Sequence, residues 1–134
     1  GELHEAVQER IRDLGLGARV RLLGVRRDIP ALMAAADAFV LASRYEGNPL
    51  VVMEAMAAGL AVLSTSVGCV PELIDDRTGL LVPPGSVPDL AAGLARPPAG
   101  TRAMGYEGTR RAHERFDVSL MAAAYARAFE EVRR

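Results

Sequence analysis

The sequence predicts an α/β fold, a parallel sheet wound with helices on both faces. Three observations predict it. Short apolar runs that do not alternate, Ala38–Ala42 and Leu60–Leu63, suit strands buried on both faces. Segments of helical period lie between them. Glycine, proline or a capping residue stands at most junctions, so strand and helix alternate along the chain.

The elements follow in order. Leu3, Val7, Ile11 and Leu14 form one stripe of a first helix, which Gly15-Leu16-Gly17 ends. Val20–Leu23 reads as a short strand closed by Gly24. Asp28 is placed to cap a second helix, with Pro30 in its first turn and Leu32–Ala36 continuing it. Ala38–Ala42 is the next strand. Asn48 is placed as an N-cap, Pro49 as the first helical residue and Gly59 as the stop of a third helix. Leu60–Leu63 is a strand, and Pro71–Ile74 a single helical turn after a glycine-containing loop. Asp75-Asp76-Arg77 is a turn, and Gly79–Val82 a strand closed by Pro83-Pro84-Gly85. Ser86 caps a helix through Leu94. Pro97–Gly100 is linker-like. Helices follow over Thr101–Arg115 and from Asp117 onward. No internal repeat is present.

The 134 residues suffice for one domain with a real core. Half of them are hydrophobic and a quarter charged, as in ordinary folded soluble domains. The formal net charge of −1 gives no basic excess for nucleic acid. All basic residues apart from the histidines are arginine, in keeping with a GC-rich coding sequence. The single Cys69 excludes an internal disulfide and reads as a buried small residue. No apolar run reaches membrane-spanning length without a charge. His4 and His113 read as surface residues, and Arg110, Arg111 and Arg115 with Glu107 and Glu114 as a solvated helix face. No metal-ligand cluster and no glycine-rich nucleotide fingerprint is visible.

From Pro49 to Leu63 one side chain is polar, Glu54. A helix apolar all round is expected to be covered all round, and a carboxylate inside it then needs a partner. In parallel sheets ligands bind outside the carboxyl ends of the strands. That rule gathers Gly24–Asp28, Ser43–Asn48 and Ser64–Val70 on one rim. The Pro49 helix starts there, so its free N–H groups and dipole suit a phosphate, and Gly47 allows close approach. Glu54 lies about 7 Å along the axis at about 1.5 Å per residue. Beside a phosphate it suits paired hydroxyls. Glu46 is a second carboxylate toward the same space. Spacing alone leaves open a glycosidase pair at about 5 Å, but the adjacent anion site favours a phosphate-bearing substrate. A solvated role for each carboxylate is the plain alternative.

The run Ser43-Arg44-Tyr45-Glu46-Gly47-Asn48-Pro49-Leu50 through Glu54-Ala55-Met56-Ala57-Ala58-Gly59 resembles the glutamate–seven residues–glutamate motif of family 4 (group 1) glycosyltransferases. The likeness extends to Val20–Gly24, Ala36–Leu41, Val67–Ile74 and Thr78–Gly85. It implies a Rossmann-like, doubly wound sheet with about four strands present. Residues 1–134 would then be a single domain, part of the C-terminal, donor-binding half of a GT-B fold. It also implies a retaining, metal-independent transferase with a nucleotide-sugar donor and no cofactor. By the resemblance Glu46 meets the donor sugar and is catalytic. The stretch Gly47, Asn48, Pro49, Leu50 and Val51 approaches sugar and diphosphate. Glu54 binds the ribose, and Gly24 and Val25 hold the base through backbone.

Two departures stand out. Cys69 replaces a common glycine, and Asn48-Pro49 replaces a commoner Phe-Gly. The resemblance further implies that the N-terminal acceptor domain and the donor domain's first two strands, with their diphosphate-binding Arg and Lys, are absent. Those strands would lie between Val20–Leu23 and Ala38–Ala42, so the sheet must close up or borrow strands, by self-association among other routes. The intact enzyme is expected in the cytoplasm, peripherally at the inner membrane face, in bacterial polysaccharide or natural-product synthesis. This chain alone is expected not to turn over. The alternative is a non-catalytic nucleotide-sugar-binding or partner subunit completed by another chain.

Overall fold

The computed structural model of the chain describes residues 3–95 and 100–133. Most of the linker-like stretch at Pro97–Gly100 therefore lies outside the described residues. The order of elements is α1 (His4–Asp13), α2 (Ile29–Ala34), β1 (Ala38–Leu41), α3 (Leu50–Ala57), β2 (Ala61–Thr65), α4 (Val70–Leu73), β3 (Gly79–Val82), α5 (Val87–Ala95), α6 (Thr101–Arg115) and α7 (Val118–Val132).

The sheet is parallel, in the order β1-β2-β3, with Val40 opposite Leu63 and Leu63 opposite Leu80. Alternation along each strand splits the side chains between two faces. Phe39, Leu41, Val62 and Leu81 pack into the main core with Val52, Met56, Val70, Leu73, Ile74 and Ala112. That face is covered by α3, α4 and α6. On the other face α5 crosses Leu63 and Leu80. Gly93 makes this possible, because a Cβ there would lie 2.9 Å from Leu63 Cδ1. Gly105 does the same for α6, where a Cβ would meet the Gly59 carbonyl oxygen at 2.0 Å. A cavity of about 600 Å³ remains beside α5, lined in part by Ala38, Val40, Ala61, Leu63 and Gly93.

Among the described residues the sheet has three strands, not about four. Val20–Leu23 is not a strand. Its apolar side chains are more than a third exposed, and no described strand lies beside it to complete its backbone hydrogen bonds. β1 is likewise half exposed on alternate residues rather than buried on both faces. It is an edge strand here, bonded to β2 alone. Gly24 nevertheless takes the left-handed conformation, φ +65°, expected of a closing glycine.

The helix ends differ in how they are built. Gly59 sits at φ +80°, Gly59 N–H donates to Met56 O and Leu60 N–H to Ala55 O. This double bond pattern is the left-handed stop expected for α3. The starts were less legible. α3 begins at Leu50 with Pro49 as its cap residue, and the Asn48 side chain makes no capping bond. Asp28 precedes α2 but caps nothing, because its carboxylate is held by Arg26 Nε at 2.8 Å and Nη2 at 2.5 Å. Asp117 does cap α7, accepting from Ser119 N–H at 2.8 Å.

Candidate functional site

The loops after β1 and β2 meet at the carboxyl end of the sheet. Thr65, the last residue of β2, is buried and donates its hydroxyl to the Ser43 carbonyl at 2.6 Å. Cys69 N–H donates to the Gly47 carbonyl at 3.0 Å. Gly68, at φ +51°, is pressed so closely on this loop that a Cβ would lie 2.1 Å from the Glu46 carbonyl oxygen. Two of the three loops expected on the rim are thus bolted together.

Glu46 is half-buried between them. Its carboxylate Oε1 accepts a hydrogen bond from Ser43 Oγ at 2.6 Å. α3 starts four residues later. Val52 N–H is already bonded to Pro49 O at 3.0 Å. The N–H groups of Leu50 and Val51 make no hydrogen bond among the described residues, so the helix start offers donors of positive dipole to an anion. Pro49 is buried, whereas Gly47, Asn48 and Leu50 are exposed. The sequence-predicted Gly47–Val51 stretch therefore presents an accessible backbone.

Glu54 corrects the sequence reading. It is exposed, and no buried charge waits for a partner. α3 is covered on one side only: Val52, Ala55 and Met56 are buried, while Leu50, Glu54, Ala57 and Ala58 form an open stripe. Apolar residues on that open stripe made the helix look fully enclosed. The consequence for ligand binding is favourable, since the carboxylate is reachable from solvent on the helix whose N–H groups are free.

Gly24 and Val25 are not brought to this assembly by any described hydrogen bond, and Val25 is 99% exposed. Cys69 is half-buried rather than buried, and its backbone N–H, not its thiol, joins the site. No group of His, Cys, Asp and Glu among the described residues could hold a metal ion. His4 and His113 are exposed. Glu107 and Arg110 form the expected solvated face, but Arg111 turns inward, binding Asp75 at 2.5 Å and the Leu73 carbonyl at 3.3 Å. Burial pushes the Asp75 carboxyl up, yet the Arg111 bond, the Arg77 N–H and both guanidinium charges outweigh it and hold it below the usual range.

The paired loops, the anchored Glu46 and the open helix start stand together at the carboxyl end of the sheet. The family model for glycosyl transferases group 1 matches residues 1–96. The chain belongs to this family. It is 31% identical over 134 residues to the lipopolysaccharide core biosynthesis mannosyltransferase LpsB of Rhizobium meliloti, covering 96% of this chain and 38% of that protein. Among solved structures it superposes on sucrose-phosphate synthase of Thermosynechococcus elongatus with TM-score 0.88 and 30% identity, over 98% of this chain and 35% of the other. HepE of Anabaena, solved in complex with UDP-glucose, matches with TM-score 0.84 and 32% identity over 95% of this chain and 36% of its own. The chain thus spans little more than a third of these proteins.

Within this chain three anchoring residues went unrecognised as such in the sequence: Ser43, Thr65 and Gly68. The Ser-x-x-Glu spacing of Ser43 and Glu46 was a usable signal, since short hydroxyl side chains bond groups a few residues away. The Thr65 contact spans 22 residues and left no local trace.

Proposed function

We propose that this chain is the donor-binding part of a retaining glycosyltransferase whose intact form moves a hexose from a nucleotide-sugar to an acceptor in cell-envelope or exopolysaccharide synthesis. One observation carries the proposal: the α3 start, with unused N–H groups at Leu50 and Val51, opens between an anchored Glu46 and an exposed Glu54. A diphosphate suits the helix start. The hydroxyls on either side of it suit the two carboxylates. Glu46 takes the sugar side and acts in catalysis. Glu54 takes the ribose, the Gly47–Val51 backbone the diphosphate, and Gly24 and Val25 the base.

The similarity to a protein that binds UDP-glucose supports a nucleotide-sugar donor. Charge at the leaving diphosphate is met electrostatically by the helix start, with no metal or cofactor required. The acceptor is bound by the remainder of the intact protein, which works in the cytoplasm at the inner membrane face. The unpaired edge of β1 is where further strands join, from the same polypeptide or from a second chain.

Calorimetric titration of the intact protein with UDP-glucose and GDP-mannose, each against its bare nucleoside diphosphate, tests the roles. Glu54→Ala weakens nucleotide-sugar and bare nucleotide alike, by roughly tenfold or more for lost bonds to a charged group. Glu46→Ala weakens only the nucleotide-sugar. Equal losses for both ligands in both variants would refute the division.

A further inference from the structure

We infer that Ser43 is the positioning residue of the Glu46 carboxylate, and that Thr65 fixes Ser43 from the neighbouring strand. The inference rests on the assignment of Glu46 to the donor sugar. Glu46 sits in a loop whose flanking residues, Arg44, Tyr45 and Gly47, are exposed. A glutamate there has three rotatable bonds, and holding them in one geometry costs entropy. The described side-chain hydrogen bond that opposes this is the 2.6 Å bond from Ser43 Oγ to Oε1. Oε2 stays free to accept hydroxyls of a ligand.

Ser43 is itself anchored. Its carbonyl accepts from Thr65 Oγ1 at 2.6 Å, while the Leu41 carbonyl lies 3.5 Å from the same hydroxyl. Thr65 is buried at the end of β2, and β2 is in register with β1 through Leu41 and Ser64. The sheet thus sets Thr65, Thr65 sets the Ser43 backbone, and the Ser43 hydroxyl sets the carboxylate. From the other side Gly68 and Cys69 clamp the Glu46 and Gly47 carbonyls. Ser43 donates its single hydroxyl hydrogen bond to Glu46. It acts through that residue rather than on a ligand. Binding geometry built in advance in this way raises affinity by removing the cost of ordering the group on contact.

The experiment measures the ratio of affinities for the nucleotide-sugar and its bare diphosphate in the intact protein, using whichever of UDP-glucose or GDP-mannose binds. Ser43→Ala lowers that ratio about tenfold, the scale of one hydrogen bond to a charged group, and leaves the bare diphosphate unchanged. Ser43→Thr restores it. Adding Ser43→Ala to Glu46→Ala changes nothing further, because both act through one carboxylate. Thr65→Val, of similar shape, lowers the ratio less, and it decides the matter if Ser43→Ala does not fold.

Equal weakening of both ligands by Ser43→Ala would show a merely structural loop and overturn the inference. So would an unchanged ratio while Glu46→Ala lowers it. If Glu46→Ala leaves the ratio intact, or the unmutated protein binds neither donor, the donor-site assignment itself falls, and the inference with it.

Discussion

Two helices of this chain, α3 and α7, invert the usual link between local signals and burial. α7 has a side-chain cap at Asp117, fifteen residues, and an apolar stripe through Met121, Tyr125, Phe129 and Val132. It buries none of its residues. α3 has eight residues, no side-chain cap and a proline before its first turn. Yet it places Val52, Ala55 and Met56 out of contact with solvent and carries Glu54. Local chemistry determines whether a helix forms. What lies against it determines whether it stabilises the fold, because most helical stability in proteins comes from packing.

Truncating α3's core side puts the sharpest strain on this contrast. Met56 is fully buried between the sheet and α6, with Gly108 closing on it so that a Cβ there would touch Met56 Cβ at 3.7 Å. Met56→Ala is expected to cost about 2–5 kcal/mol, from lost burial and the cavity left behind. Urea unfolding followed by far-UV circular dichroism reads this as a lowered midpoint. A midpoint within error of the unmutated chain would mean that α3 is not the centre of the cooperative unit.

The same contrast explains how much was legible from the residues alone. The parallel sheet, the bounds of β3 at Gly79–Val82 and the Gly59 stop were all readable, since each rests on a few adjacent residues. Errors arose where a competing or missing partner decides. Asp28 had the chemistry of a cap, but Arg26 takes its carboxylate. Val20–Leu23 had the alternation of a strand but lacks a described neighbour to pair with. Glu54 stood in an apolar helix, and which face of α3 stays open depends on the placement of α4 and α6. Glu46 was legible as a candidate through its motif. Its anchoring through Thr65 was not, since that contact is set by strand register.

A smaller effect concerns how α6 is tied down beside α3. Glu107 is bonded to Arg110 Nε at 3.0 Å and pairs with Arg77 across to the turn before β3. The Arg110 bonds, and then those of Arg77, hold the Glu107 carboxyl down to about 2, against 4.5 ordinarily. A lowered carboxylate contributes stability that is fully present above the unfolded value and is lost as pH falls through the folded one. The chain should therefore lose stability between about pH 4.5 and pH 2, with Asp75 adding to the same limb. Glu107→Gln should make that acid limb shallower in pH-dependent thermal melts. An unchanged slope would show that these exposed pairs are too well screened to matter.

The smallest effect is the most informative about α7. Tyr125 and Phe129 stack on one another one turn apart, with ring centroids 6.5 Å apart, and both are more than half exposed. Phe129→Ala should change the unfolding free energy of this chain by less than about 0.5 kcal/mol, the range of an uncoupled surface position. Asp117→Ala should weaken the helix start, seen as faster amide exchange in α7 with the main transition unmoved. These two outcomes belong together: an exposed helix frays locally without unfolding the body. A loss above about 2 kcal/mol on Phe129→Ala would require the ring to be buried in solution. The inversion between α3 and α7 would then fail for the chain in solution.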